Sequence, residues 1–294
     1  MNSELQICFY YNKELLRIFS KSFFMSTLLL PGNRRKAVFA LYGFCRFADN
    51  LVDKPRDRSR QEIYDEIEAL QRELRIAYRT GESEHPVLCA FIHVARAFNI
   101  PMEYPMDLFK GLLMDVDHKP YSTFDDLYLF CYRVAGVVGL MMTHILGYSD
   151  DAAFEYASNL GVAMQLTNIL RDITEDKDNR RLYLPLDEME RFGVSWEDIE
   201  KERFTPHVRN LIEFSCSRAR KYYDDAAPGI PMLDKKCRFA IYSAASIYGG
   251  ILDKIAKNGY NPFKGRVYVS QAEKARIIVR NFLKGKLGRG DSSS

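Results

Sequence analysis

Apolar side chains recur at three- and four-residue steps along most of this chain, and sustained alternation of apolar and polar residues is hard to find. Ile63, Ile67, Leu70, Leu74 and Ala77 set the pattern, falling on one face of a helix with 3.6 residues per turn. A half-buried strand would need period two. The periodicity predicts an all-α fold, with helices near residues 4–19, 34–53, 58–79, 87–98, 105–117, 123–147, 150–177, 195–202, 206–226, 234–258 and 270–286. Proline and glycine mark the breaks: Pro31 and Gly32, Gly81, Pro101, Pro105, Pro120, Gly147, Gly193, Pro228 to Pro231, and Gly259 to Pro262. Asn33, Thr123 and Thr205 are the expected N-caps, because their side-chain oxygens can accept from the first free N–H groups of a helix.

With 294 residues and 47% hydrophobic content the chain can fill one large core, and no repeat or low-complexity segment divides it. The expectation is a single domain over 1–294, a helical bundle around a central cavity, with a flexible basic tail from about 285 to 294. Six cysteines are scattered without metal or redox spacing and read as reduced, mostly buried thiols of a cytoplasmic protein. The first residues mix acids and bases with apolar side chains, unlike a signal peptide. The most apolar stretch, Val134 to Leu146, is shorter than the roughly 20 residues of a spanning helix. A net charge of +3 argues against nucleic acid as partner. Lys274, Arg276, Arg280, Lys284, Lys286 and Arg289 make the last helix basic, which is either a solvated face or a contact with the anionic inner face of a membrane. No feature of the chain fixes an oligomeric state.

The chemistry is concentrated in two stripes. In ALYGFCRFADNLVD, Arg46, Asp49 and Asp53 are three and four residues apart and share a helix face. In MQLTNILRDITED, Gln165, Asn168, Asp172 and Asp176 do the same at steps of three, four and four. The surrounding residues are mostly apolar, where an unpaired carboxylate is costly. The carboxylates and amide oxygen of the second stripe, with neither thiol nor imidazole among them, suit Mg²⁺, or Mn²⁺ in its place, bridging to a diphosphate. One Asp-x-x-x-Asp alone would be an ordinary solvated face; two in apolar helices point to a metal-bound diphosphate whose departure leaves a carbocation.

These stripes, together with Ser20 to Phe23, YRVAGVVG at 132–139, RLYLP at 181–185 and Arg266 to Ser270, resemble the squalene/phytoene synthase family over nearly the whole length. The resemblance implies that Asp49, Asp53, Asn168, Asp172 and Asp176 hold metal ions against two prenyl diphosphates. It also implies that Ser20, Lys21, Ser22, Tyr42, Arg46, Tyr132, Gln165, Arg171, Tyr183, Tyr248 and Arg266 contact diphosphate or line the ionisation site, with Arg46 and Tyr248 among the catalytic groups. Many members carry a second acid where this chain has Asn50. Ordinary readings stand beside these: Arg171 balancing Glu175, Tyr42, Tyr132 and Tyr248 as core aromatics, Gly136, Gly139 and Gly161 as packing contacts instead of room for a polyprenyl tail, and His118 and His144 as core or surface residues.

RLYLPLDEMERFGVS reads most like phytoene synthases, so the expected activity is condensation of two geranylgeranyl diphosphates to 15-cis-phytoene, through a cyclopropylcarbinyl diphosphate. The chain shows no glycine-rich dinucleotide loop and no C-terminal anchor of the eukaryotic squalene synthases, so no NADPH is expected. Farnesyl diphosphate, giving dehydrosqualene, presqualene diphosphate or squalene, is the runner-up. A terpene cyclase shares fold and metals but takes one substrate, and a non-enzymatic divalent-ion scaffold would leave Lys21, Arg46, Arg171 and Arg266 without a role.

Overall fold

The computed structural model describes residues 3–53 and 58–287, and within these the side chains of Lys21, Ser22, Asp53 and residues 284–287 lie outside what is described. Among the described residues there is no β-strand, only an isolated bridge between Tyr148 and Leu233. The helices are α1 (Ser3–Phe19), α2 (Lys21–Thr27), α3 (Gly32–Asp53), α4 (Arg60–Thr80), α5 (Pro86–Ala97), α6 (Glu103–Val116), α7 (Phe124–Cys131), α8 (Val137–Leu146), α9 (Ala153–Asp178), α10 (Leu186–Arg191), α11 (Trp196–Glu200), α12 (Pro206–Ala226), α13 (Lys235–Lys257) and α14 (Gln271–Leu287). A π-helical turn, Tyr132–Gly136, joins α7 to α8, and a 3₁₀ turn, Ala227–Met232, follows α12.

Local chemistry sets many of the ends. Ser59 with Glu62, Thr123 with Asp126 and Ser195 with Asp198 form reciprocal capping boxes, and Thr205 accepts from the Val208 N–H. Gly81, at φ 86°, closes α4 in the left-handed conformation that favours glycine. Asn33 is not the cap that the sequence suggested: α3 begins at Gly32, and the Asn33 side chain accepts from the Arg34 N–H one residue on. The expected helices 123–147 and 150–177 are present, the former interrupted by the π turn, while the short α2 and α10 were not expected.

Two apolar clusters form the core. One joins α1 and α3 to α6 with α8, centred on Phe44 stacked on Phe91 at 4.2 Å with the edge of Phe109 at 5.8 Å. The other joins α7, α9, α12 and α13. The run Phe124–Leu146 is 23 residues long and apolar enough to cross a membrane, longer than the Val134 to Leu146 stretch considered above. It passes through the middle of the fold and packs on α6 and α9, with 56% of its most apolar window buried. The small residues of α8 and α9 let their backbones touch: a Cβ on Gly139 would stand 2.2 Å from the Ala157 carbonyl oxygen, and one on Gly161 would stand 2.3 Å from that of Ala135.

Candidate active site

Both carboxylate stripes lie toward the C-terminal ends of their helices, on α3 and α9, and tyrosines bring them into one neighbourhood. Burial pushes the Tyr42 phenol up to about 12, against the pull of Arg46, and Tyr248 of α13 and Asp49 act on it as well. Burial also raises Tyr248, which lies beside Ser20 and feels Arg171 and Asp172. Side chains from the start of α2, from α3, α9 and α13 therefore share one electrostatic environment. Arg46 pairs with Asp49 at 3.3 Å and lies over the Phe19 ring at 4.7 Å.

Asp172 is the most heavily engaged acid. The Arg171 guanidinium grips both of its oxygens, one at 2.8 Å, and Arg266 reaches it from the loop before α14 at 3.0 Å. Arg266 also pairs with Glu175 at 2.9 Å, so Glu175 finds its ion-pair partner there and not in Arg171. Asp176 sits deeper, and its carboxyl is raised to about 7, by burial first and then by the charge of Asp172, with Arg181 opposing. One turn before Asp172, Asn168 donates weakly to Gln165 at 3.4 Å, while its carbonyl oxygen is buried without a hydrogen-bond partner among the described residues.

An orphaned amide oxygen, an acid that burial resists ionising and an acid held by two arginines, on successive turns, fit a hard cation with a bound anion. No group of three His, Cys, Asp or Glu side chains is assembled for a metal among the described residues, which exclude the Asp53 side chain. Arginines close the group instead. The Lys21 and Ser22 side chains likewise lie outside the described residues. Asn50 has a buried side-chain oxygen with no hydrogen-bond partner among them.

Two expected contacts fall elsewhere. The Tyr183 hydroxyl donates to the buried Asp115 of α6, whose other oxygen pairs with Arg181 at 3.0 Å, and the ring stacks on Phe130 and meets the edge of His118. Tyr183 thus braces the segment after α9, close to Asp176, with its hydroxyl already engaged. Tyr132 is surrounded by α6 and α7 groups: after burial, Asp107, Tyr128 and Lys110 act on its phenol. His118 accepts the Leu182 N–H at 2.9 Å and His144 packs among Tyr104, Tyr148 and Phe154, so both are structural.

Asp115 and Arg181, which act on the Asp176 carboxyl, were missed as site residues. Asp115 is a lone acid on the apolar face of α6, a signal in itself. Lys274, counted above with the basic last helix, is only 7% exposed and burial lowers its pKa. It shares the inward stripe of Ile277 and Asn281, which helical phase alone distinguishes from Arg276 and Arg280.

On the N-terminal side of these residues an apolar cavity runs along α9, ≈ 900 Å³ with the part open to solvent included, walled by Met164, Leu160, Ala157 and Ala153 on that helix. Phe23 of α2, the π turn, α8, the 3₁₀ turn and α13 complete it. Met164 to Ala153 spans about 16 Å at 1.5 Å per residue. Among the described residues Thr143 and Tyr156 are its only polar-tipped linings, and the Thr143 hydroxyl is spent on the Gly139 carbonyl at 3.0 Å. Gly139 and Gly161 therefore serve both readings, close packing and cavity wall. Such an arrangement suits an anion at its polar end and a hydrocarbon kept from water in its apolar part.

A family model described as squalene/phytoene synthase matches residues 16–273. The chain is 37% identical over 281 residues to a 15-cis-phytoene synthase of Synechocystis sp., covering 92% of this chain and 82% of that one. It is 34% identical to a 15-cis-phytoene synthase of Synechococcus elongatus, covering 87% and 86%. Its fold is similar to the crystal structure of a dehydrosqualene synthase in complex with ligand, with TM-score 0.89, 32% identity and coverage of 96% and 98%.

Proposed function

The chain belongs to the squalene/phytoene synthase family, and from that premise we propose that it is a prenyltransferase of carotenoid biosynthesis, joining two geranylgeranyl diphosphates into 15-cis-phytoene. The observation that carries this reading is that one helix, α9, bears both the Arg171 and Asp172 pair that Arg266 joins and, from Met164 back to Ala153, a wall of the apolar cavity. Asp49, Asp53, Asn168, Asp172 and Asp176 are the residues that would hold Mg²⁺, or Mn²⁺, which when bound supplies the positive charge that lets a diphosphate leave.

The chain's own groups do the rest. Arg46, Arg171 and Arg266, with Lys21, Ser20 and Ser22, hold and orient the diphosphates. Tyr42 and Tyr248, raised by burial, stay protonated and offer hydrogen bonds and ring faces without charge. One C–O bond breaks and its electron pair leaves with diphosphate; the double bond of the second substrate forms the new C–C bond, and loss of a proton closes a cyclopropane. A second diphosphate departure, rearrangement and loss of another proton give the triene, with no reductant needed. The apolar walls protect both cations from water. The product is a water-insoluble hydrocarbon, and we place the enzyme peripherally on the cytoplasmic face of a membrane.

The test is incubation of purified protein with Mg²⁺ and geranylgeranyl or farnesyl diphosphate, with and without NADPH, followed by mass spectrometry. A forty-carbon triene made without NADPH, and lost in Asp49→Ala and Asp172→Ala, is expected. A thirty-carbon product would keep the chemistry and move the substrate, as the likeness to a dehydrosqualene synthase allows; no condensation product from either substrate would overturn the proposal.

A further inference from the structure

α2 is a thin wall with two apolar faces. Phe23 lines the reaction cavity, whereas Phe24, about 100° further round the helix, lines an open groove of ≈ 1200 Å³ between α1, α2 and the start of α3. The groove floor is Phe9, Phe24 and Phe39, the last two stacked with centroids 6.0 Å apart. Its rim carries Lys13, Arg35 and Lys36, and among the described residues no carboxylate lines it. Among the described residues none of these three cations is paired with an acid, whereas neighbouring Arg17 is tied to Glu14 at 2.7 Å. Beside the groove Ile7 is 67% exposed, Tyr10 63% and Leu28 49%. A Cβ on Gly32 would meet nothing within 4 Å, so the mouth is open.

Unpaired cations around an aromatic floor, with a tyrosine and aliphatic tips standing in solvent, complement an anionic headgroup above hydrocarbon. An acidic peptide would satisfy the rim but leave the floor unfilled. The proposed reaction uses none of these residues. We propose that this groove docks the enzyme on an anionic bilayer, the floor accepting a lipid acyl chain and the rim the phosphate. The proposal rests on the membrane-surface reading above and gives it a location. That location is the outer face of the wall whose inner face touches substrate, not the outward Arg276 and Arg280 of α14.

The test is sedimentation of the full chain with vesicles of phosphatidylcholine alone or mixed with phosphatidylglycerol. Wild type should partition onto the mixed vesicles and be released by salt. Lys13→Gln/Arg35→Gln/Lys36→Gln should lose about fivefold per cation, on the order of 100-fold in all, with activity on detergent-dispersed substrate unchanged. Arg276→Gln/Arg280→Gln should bind as wild type. Tyr10→Trp should shift its emission to the blue on mixed vesicles, read against Trp196. Equal binding by the triple variant, loss in the α14 variant instead, or capture of an acidic peptide without vesicle binding would overturn the groove as the docking site. A wild type that ignores both vesicles would sink the membrane reading and the groove together.

Discussion

Asp172 is neutralised twice over by Arg171 and Arg266, so a bare metal ion must compete with two guanidinium groups for it. A diphosphate removes that competition by taking the arginines. Calorimetry should therefore find Mg²⁺ binding weak alone and markedly tighter with inorganic pyrophosphate, and Arg266→Gln should narrow the difference. Asp172→Ala is expected to lower kcat on the order of 10²- to 10³-fold, read by product formation. Tyr183→Phe removes a hydrogen bond to the buried Asp115 carboxylate and should cost about 2 kcal/mol of stability, read as a lower denaturant midpoint. At this scale the sequence was legible where residues repeat on one helix face, as Asn168, Asp172 and Asp176 do. It was not legible where a partner comes from another helix: nothing near Tyr183 in sequence announces Asp115, 68 positions away. Histidines add a pH signature. Burial lowers the pKa of His85, His118 and His144, so as pH falls through about 6.5 the unfolded chain takes up protons that the folded chain refuses. The histidines' contribution to stability should be level above that pH and decline below it, and His144→Phe should flatten part of that decline in denaturant melts.

Between elements, the decisive contact is α8 against α9, where Gly139 and Gly161 replace side-chain thickness with direct backbone approach. Gly161→Ala puts a methyl group into a carbonyl and should cost about 1–3 kcal/mol in urea unfolding, with the cavity wall displaced as well. The long helices were legible because each spans several turns of unbroken phase. α2 and α10, at seven and six residues, complete fewer than two turns and offer no period to read. α2 nevertheless separates the reaction cavity from the outer groove. The interruption in Phe124–Leu146 was equally silent, since a π turn leaves composition and apolarity unchanged.

For the molecule as a whole, what matters is the distance from the polar end to the floor of the cavity. Asn168 to Ala153 is about 22 Å along α9, and Ala153 is buried at the far end. Ala153→Phe should shorten the space for the tail and move the product from forty toward thirty carbons, measured by competition between the two substrates. No periodicity reveals that floor, because α8, α9, the 3₁₀ turn and α13 each contribute a few small or aliphatic residues that look like any core. The π turn at Tyr132–Gly136 has one more consequence, and it concerns inheritance. A π turn is an α-helix carrying one surplus residue, so everything after it is rotated by about 100° relative to an uninterrupted helix. Deleting a single codon there would remove the surplus residue and leave a smooth helix on which Val138, Met142 and Leu146 keep their phase, whereas closing the turn into α-helix without a deletion would swing them about 100° away from the cavity. The shape of the reaction chamber is thus stored partly as a count of residues, one more than a regular helix between the same two ends would need.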